Sequence, residues 1–171
     1  MTKKISKLLM LTLLITLTSC SQNKPFKTVK FGDQVWSSKD VNFPVDKELE
    51  IILDNGERLY SKGGAEIVAN NFEGWRLPTN EDVEILRKHF NDDDKKIFDA
   101  LNMYNHYGRE GKYHDGDKEI KGAFWTSSEK VKNNGEIKNY AFLVMERNGE
   151  YRVDLDDSND DFYFSVRLIK E

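Results

Sequence analysis

The sequence predicts a single α+β domain, with short helices in its first half and an antiparallel β-meander in its last third. Three observations carry that reading. Asn55-Gly56 and Asn148-Gly149 each sit between apolar runs, the pattern of a β-hairpin. Thr79-Asn80-Glu81-Asp82 is a capping and acidic start followed by apolar residues at helical spacing. The chain has 171 residues, 38% hydrophobic and 12% aromatic, which suits one ordinary core rather than a disordered tail.

At the N-terminus, Lys3, Lys4 and Lys7 precede an apolar run at 8–17 that is too short to cross a ~30 Å hydrocarbon core. Small residues then lead to Cys20, the one cysteine of the chain, so residues 1–19 read as a secretory signal. Leu17-Thr18-Ser19-Cys20 resembles the bacterial lipobox. The resemblance implies cleavage before Cys20, a diacylglycerol on its thiol and an acyl chain such as palmitate on the new N-terminus. Each buried CH₂ contributes ~0.8 kcal/mol, so chains in this number hold a protein stably on a membrane. The expected location is therefore the bacterial cell envelope, lipid-anchored. Ser21, in place of the aspartate that retains some lipoproteins in an inner membrane, points to the outer one. Residues 20–27 form a polar tether with Pro25.

Removing residues 1–19 leaves 152 residues and takes the net charge from −4 to −7, because the segment carries three lysines and no acid. An acidic surface argues against nucleic acid as the partner, since phosphate binding needs clustered Lys and Arg. With Cys20 committed to lipid, no disulfide is available, and the fold must stand on its core.

The domain proper spans 28–171. Residues 28–31 and 34–36 read as strands around a Gly32-Asp33 turn. Residues 49–53 and 58–60 form a second hairpin on Asn55-Gly56, a pair favoured where both turn residues take φ > 0. A short helix is expected at 65–70. Thr79 or Asn80 caps the next, with Val83, Leu86 and Phe90 on one face, and Asp92-Asp93-Asp94 start another with Ile97, Phe98 and Leu101 inward. Residues 102–121, rich in Gly, Tyr and His without periodicity, read as an exposed loop. Residues 140–145 and 151–155 pair across Asn148-Gly149, and a closing strand alternates Phe162, Phe164, Val166 and Leu168 against Tyr163, Ser165 and Arg167.

Four blocks, Thr28-Val29-Lys30-Phe31-Gly32-Asp33-Gln34-Val35-Trp36, Gly74-Trp75-Arg76-Leu77-Pro78-Thr79, Phe124-Trp125-Thr126-Ser127-Ser128-Glu129 and Ser165-Val166-Arg167, occur in this order. Together they resemble the Fibrobacter succinogenes major paralogous domain family, over about 28–169. That resemblance implies a C-type-lectin-like fold and an envelope context, but no reaction. It also implies that Asn71 and Leu168 occupy positions where many relatives carry cysteines, as if one disulfide were missing here. Physically the blocks look like scaffold. Trp36, Trp75 and Trp125 each bury ~150–250 Å² and need a partner for the indole N–H. Arg76 and Arg167 are suited to bridging carbonyls or a carboxylate in a loop-rich interior.

Catalysis by copper-bound cysteines, as in formylglycine-generating enzymes, is excluded by the lack of a second thiol, and Ser127-Ser128 has neither a G-x-S-x-G elbow nor a nearby histidine. The chain is therefore read as a non-enzyme. His106, His114 and Asp115 match no zinc spacing. No resident cofactor is expected. Calcium is the one candidate ion, at Asp154, Asp156 and Asp160 with Asp157, Asn159 and Asp161, although this stretch lacks the glycine and glutamate of an EF-hand and a solvated acidic turn is the plainer reading. The leading expectation is recognition of a glycan or an envelope protein through Tyr104, Tyr107, Arg109 and Tyr113, with His106, Lys112 and His114 interleaved. A purely structural envelope component and a metal-dependent enzyme are the alternatives.

Overall fold

A computed structural model describes residues 26–102, 114–115, 118–158 and 162–171. Among them, strands β1 (Thr28–Phe31), β2 (Gln34–Ser37), β10 (Ile169–Lys170) and β5 (Trp75–Arg76) form one sheet in the order β1-β2-β10-β5. β3 (Glu50–Ile52) and β4 (Arg58–Tyr60) form a hairpin, and β6 (His114–Asp115), β7 (Lys118–Val131), β8 (Ile137–Arg147) and β9 (Glu150–Ser158) form an antiparallel sheet. The helices are α1 (Lys62–Asn70), α2 (Asn80–His89) and α3 (Asp94–Leu101). The α+β class predicted from the sequence is thus the observed one.

The β7–β9 sheet is buried on both faces. Because side chains alternate along a strand, Ala123, Trp125, Ala141 and Leu143 enter one apolar cluster with Tyr60, Val68, Leu77 and Leu168. Phe124, Phe142, Val144 and Val153 enter the other with Trp36, Val83, Leu86, Ile97 and Leu101. Two-sided burial explains why Ala141-Phe142-Leu143-Val144 is a continuous apolar run, as buried central strands generally are. The edge strand β9 is covered by α3, whose Asp94 carboxylate accepts a hydrogen bond from the Val153 N–H at 3.0 Å.

The helix starts follow their capping chemistry. Ser61 caps α1, Asp93 caps α3, and at α2 Thr79 and Asp82 form a reciprocal capping box. The hairpins at residues 28–37 and 50–60 stand where they were expected, but the Asn55-Gly56 turn differs in form. Only Gly56 takes a positive φ, +81°, and Leu53 N and Gly56 N donate to Glu57 O and Leu53 O at 2.8 Å each, a three-residue loop. Lys132 to Glu136 repeats this arrangement with Gly135 at +82°. In Asn148-Gly149 both residues are left-handed, at +54° and +83°, giving the two-residue turn.

Two further expectations are corrected. Residues 102–121 are not loop throughout: β6 pairs with β7 through His114–Glu119 and Asp115–Lys118, β7 begins at Lys118, and Ile120 is buried. The closing stretch is not an alternating strand of the meander. Ser165 and Arg167, which alternate with the apolar residues in sequence, are buried too, at 1% exposure each, and the interior bridging role expected of Arg167 is the one observed. The reason is that consecutive peptides of this segment bond to different elements. Phe164 exchanges both backbone bonds with Tyr60 at 2.8 and 2.9 Å, and Ser165 brackets β7 by accepting from Trp125 N and donating to Ala123 O. Val166 O accepts from Val41 N, Leu168 O from Ser37 N, and Ile169 lies between Trp36 and Arg76.

Arg167 is satisfied from three directions. Nε donates to Asp40 Oδ1, Nη1 to Ser37 O at 3.1 Å and Nη2 to Leu101 O at 2.6 Å. The last of these bonds closes the carbonyl end of α3, where the helix has no partner of its own. Arg167→Met should cost about 3–5 kcal/mol in denaturant titration, because it removes the guanidinium shared by the Asp40 carboxylate and two buried carbonyls. Arg167→Lys should recover less than half of that, since an ammonium cannot span three acceptors. A wild-type midpoint in either variant would contradict this account.

Candidate functional site

The four sequence blocks interlock through hydrogen bonds. Arg76 clamps Asp82, with Nη1 to Oδ2 at 2.5 Å and Nη2 to Oδ1 at 3.1 Å, while the Thr79 amide and hydroxyl donate to the same carboxylate at 2.7 and 2.9 Å. Gln34 donates to Asp82 and its carbonyl accepts the Trp36 indole N–H at 3.1 Å, so the first block hangs on the second. The third block reaches the second through a bulge. Thr126, Ser127 and Ser128 oppose Tyr140 alone; Ser127 N donates to Pro78 O at 2.8 Å and Ser128 Oγ accepts from Asn80 N at 2.9 Å. Trp125 donates its indole N–H to Tyr60 O at 2.6 Å. The expected scaffold roles of Arg76, Arg167, Trp36 and Trp125 are met by named partners.

Electrostatics follow the same contacts. Burial pushes the Asp82 pKa upward, but the Arg76 guanidinium and the two Thr79 donors outweigh it, so the carboxyl titrates below the usual range. Arg76 is raised in return, chiefly by its bond to Asp82. The Tyr60 hydroxyl, buried and exchanging bonds of 2.8 Å with the Phe43 N–H and carbonyl, is pushed up to about 12 by burial.

Of the predicted site residues, Cys20, Tyr104, Tyr107, Arg109, Tyr113, Asp160 and His106 lie outside the described residues. Asp154 and Asp156 belong to strand β9, not to an acidic turn, and β9 carries them on the same side. Asp154 pairs with Arg152 at 3.0 Å and also accepts from Leu155 N. Among the described residues, no group of three or more His, Cys, Asp or Glu side chains is placed to hold a metal ion. Asn71 is exposed, with its amide donating to Ile67 O at 2.7 Å, and Leu168 is fully buried.

What the structure adds is a cavity of about 320 Å³ at the outer end of Arg167. Lys39 and Asn42 come from the segment after β2, Glu57 and Arg58 from the start of β4, and Asn102 from the left-handed C-cap of α3. Asp40 and Arg167 form its ion-paired floor. Asn102 is also the first residue of the stretch that carries the candidate tyrosines in sequence. The lining holds cations, acids and amides together, a set able to donate to and accept from a hydroxyl-rich ligand. Its residues come from four distant stretches, and no periodicity or motif joins positions 39, 58, 102 and 167. The one legible signal was Arg167 itself, a charge within an apolar closing run.

No protein-family model, curated protein or solved structure matches this chain.

The Asp82 network has a pH signature. A carboxyl with a lowered folded pKa contributes stability that is present above the unfolded value of about 3.9 and is lost as pH falls through the folded one. Asp82→Asn should therefore cost about 1–3 kcal/mol at pH 7 and flatten the acid limb of stability below about pH 5. Denaturant midpoints at pH 7 and pH 3.5 check this, and an equal penalty at both values would contradict it.

Proposed function

We propose that this chain is a lipid-anchored protein of the bacterial cell envelope that binds a glycan without catalysing a reaction. In this reading Cys20 is the lipid attachment point, residues 20–27 are the tether, and 28–171 are a C-type-lectin-like domain of the Fibrobacter major paralogous kind, held at the outer membrane. The observation that carries the binding function is the polar cavity bounded by Asn102, the residue from which the tyrosine-bearing stretch departs. Its size suits one small ligand. The absence of a catalytic role is supported by how the blocks spend their reactive groups. Ser127, Ser128, Thr126, Asp82 and Arg76 are all engaged in bonds that join one block to another or fix a helix start.

An envelope protein as partner is favoured by a different feature. Val131 and Ile137 face each other near the tip of the β7–β8 hairpin and are 68% and 57% exposed, an aliphatic pair of the kind that a partner surface covers.

Two measurements test the proposal. Mass spectrometry of membrane-extracted protein should find a chain beginning at an acylated Cys20; an intact Met1 or a free thiol would remove the anchor. A glycan array should show binding that Tyr107→Ala abolishes, whereas a blank array with recovery of one envelope protein through the wild-type hairpin, lost in Val131→Ser, would replace the glycan by a protein partner.

A further inference from the structure

We infer that the cavity between the end of β2, the start of β4 and the C-cap of α3 takes an acidic saccharide, a sugar ring bearing a carboxylate. The inference rests on the glycan-binding reading above and names the chemical class of that ligand. Two arginines line the cavity and are used very differently. Arg167 spends a donor from each of its three nitrogens on Asp40, Ser37 O and Leu101 O, so the fold already holds its guanidinium in place. Arg58 donates from Nη1 to Glu50 at 2.7 Å, and on this side chain, 20% exposed, Nη2 has no acceptor among the described residues. A guanidinium has five donors in a rigid fork that matches a carboxylate, and Arg58 uses little of that capacity on protein. Lys39, exposed on the same cavity, has no ion pair among the described residues and supplies a second positive charge to the same space.

The acids of the lining decide between anions. Glu57, whose carboxylate also accepts from Asn55 at 2.8 Å, stands on the cavity wall and would repel a bare inorganic anion while accepting from a hydroxyl. Asn42 and Asn102 add amides that both donate and accept. A neutral sugar would meet Glu57 and the amides through its hydroxyls but leave Lys39 and the Nη2 donors of Arg58 without a charged acceptor. A simple carboxylate would do the reverse. A ring carrying both hydroxyls and one carboxylate, such as a uronic acid, answers the whole lining.

Isothermal titration of the mature, full-length protein in detergent micelles with D-glucuronate, D-glucose and acetate tests this. Glucuronate should bind about tenfold tighter than either of the others, the margin expected for one charge-assisted contact. Lys39→Ala, an exposed substitution that leaves the core alone, should weaken glucuronate several-fold and leave the melting temperature unchanged. Arg58→Gln is made together with Glu50→Gln, so that no buried carboxylate is stranded, and should weaken glucuronate about tenfold. Glucuronate no tighter than glucose, acetate as tight as glucuronate, or affinity untouched in both variants would each overturn the inference. If an array shows neutral glycans bound while glucuronate is not, the acidic-sugar inference falls and the glycan reading stands. If array and titration are both blank, the glycan reading falls with it.

Discussion

Burying a guanidinium is costly unless its nitrogens find acceptors, and Arg167, at 1% exposure, has its acceptors in three places. Asp40 follows β2, Ser37 ends β2 and Leu101 ends α3, so meeting that one requirement sets the positions of a strand end, a turn and a helix terminus together. The neighbouring peptides extend the same logic. Between Phe164 and Ile169 the backbone bonds in turn to β4, β7, the segment after β2, β2 itself and β5. The sheets do not share edges with one another. They share this segment, and the two apolar clusters are held in register by it.

The motif blocks do a related task at the other end of the core. Asp82 collects Arg76, Thr79 and Gln34, and Gln34 in turn holds Trp36. The bulge at Thr126, Ser127 and Ser128 brings β7 to the start of α2. Such polar contacts contribute modestly one by one, about 1 kcal/mol each, but leaving any member unpaired costs more than the bond contributes. In a chain with a single cysteine, this network and the closing segment perform the cross-linking that a disulfide performs elsewhere.

How far the sequence could be read depended on whether a feature was local. A cap at Thr79 or Asn80, a helix start within Asp92-Asp93-Asp94 and the inward faces of α2 and α3 need only a few neighbouring residues, and they were legible; that Asp93 is the cap of α3 came from the structure. The three Asn-Gly-Glu tripeptides show where locality ends. Asn55-Gly56-Glu57 and Asn134-Gly135-Glu136 close three-residue loops, with the asparagine Oδ1 accepting from the glutamate N–H at 3.0 Å, whereas Asn148-Gly149-Glu150 makes a two-residue turn. Register decides, because a strand must present its apolar side chains to the correct face, and that demand comes from the far side of the core. The closing segment misled for the same reason. Phe162, Phe164, Val166 and Leu168 alternate as a half-exposed strand should, yet Ser165 and Arg167 are buried because their partners lie more than a hundred residues earlier or on β7. Beyond Arg167 the cavity was illegible, since its lining is assembled from positions that only the fold brings together.

The separation of those contacts bears on when the domain can exist. Arg167 bonds to residues 127 and 130 positions before it, and Leu168 to one 131 positions before it. A chain emerging from its N-terminus can form the hairpins and helices of its first half as fluctuating local structure, but the acceptors on Ser37, Asp40 and Leu101 wait for a donor at least 66 positions further along. Contacts of such range also slow folding, because a long loop must close before they form. That ordering is a built-in delay: the first half of the chain can hold only local structure, and the domain locks once Arg167 and Leu168 have reached their distant acceptors.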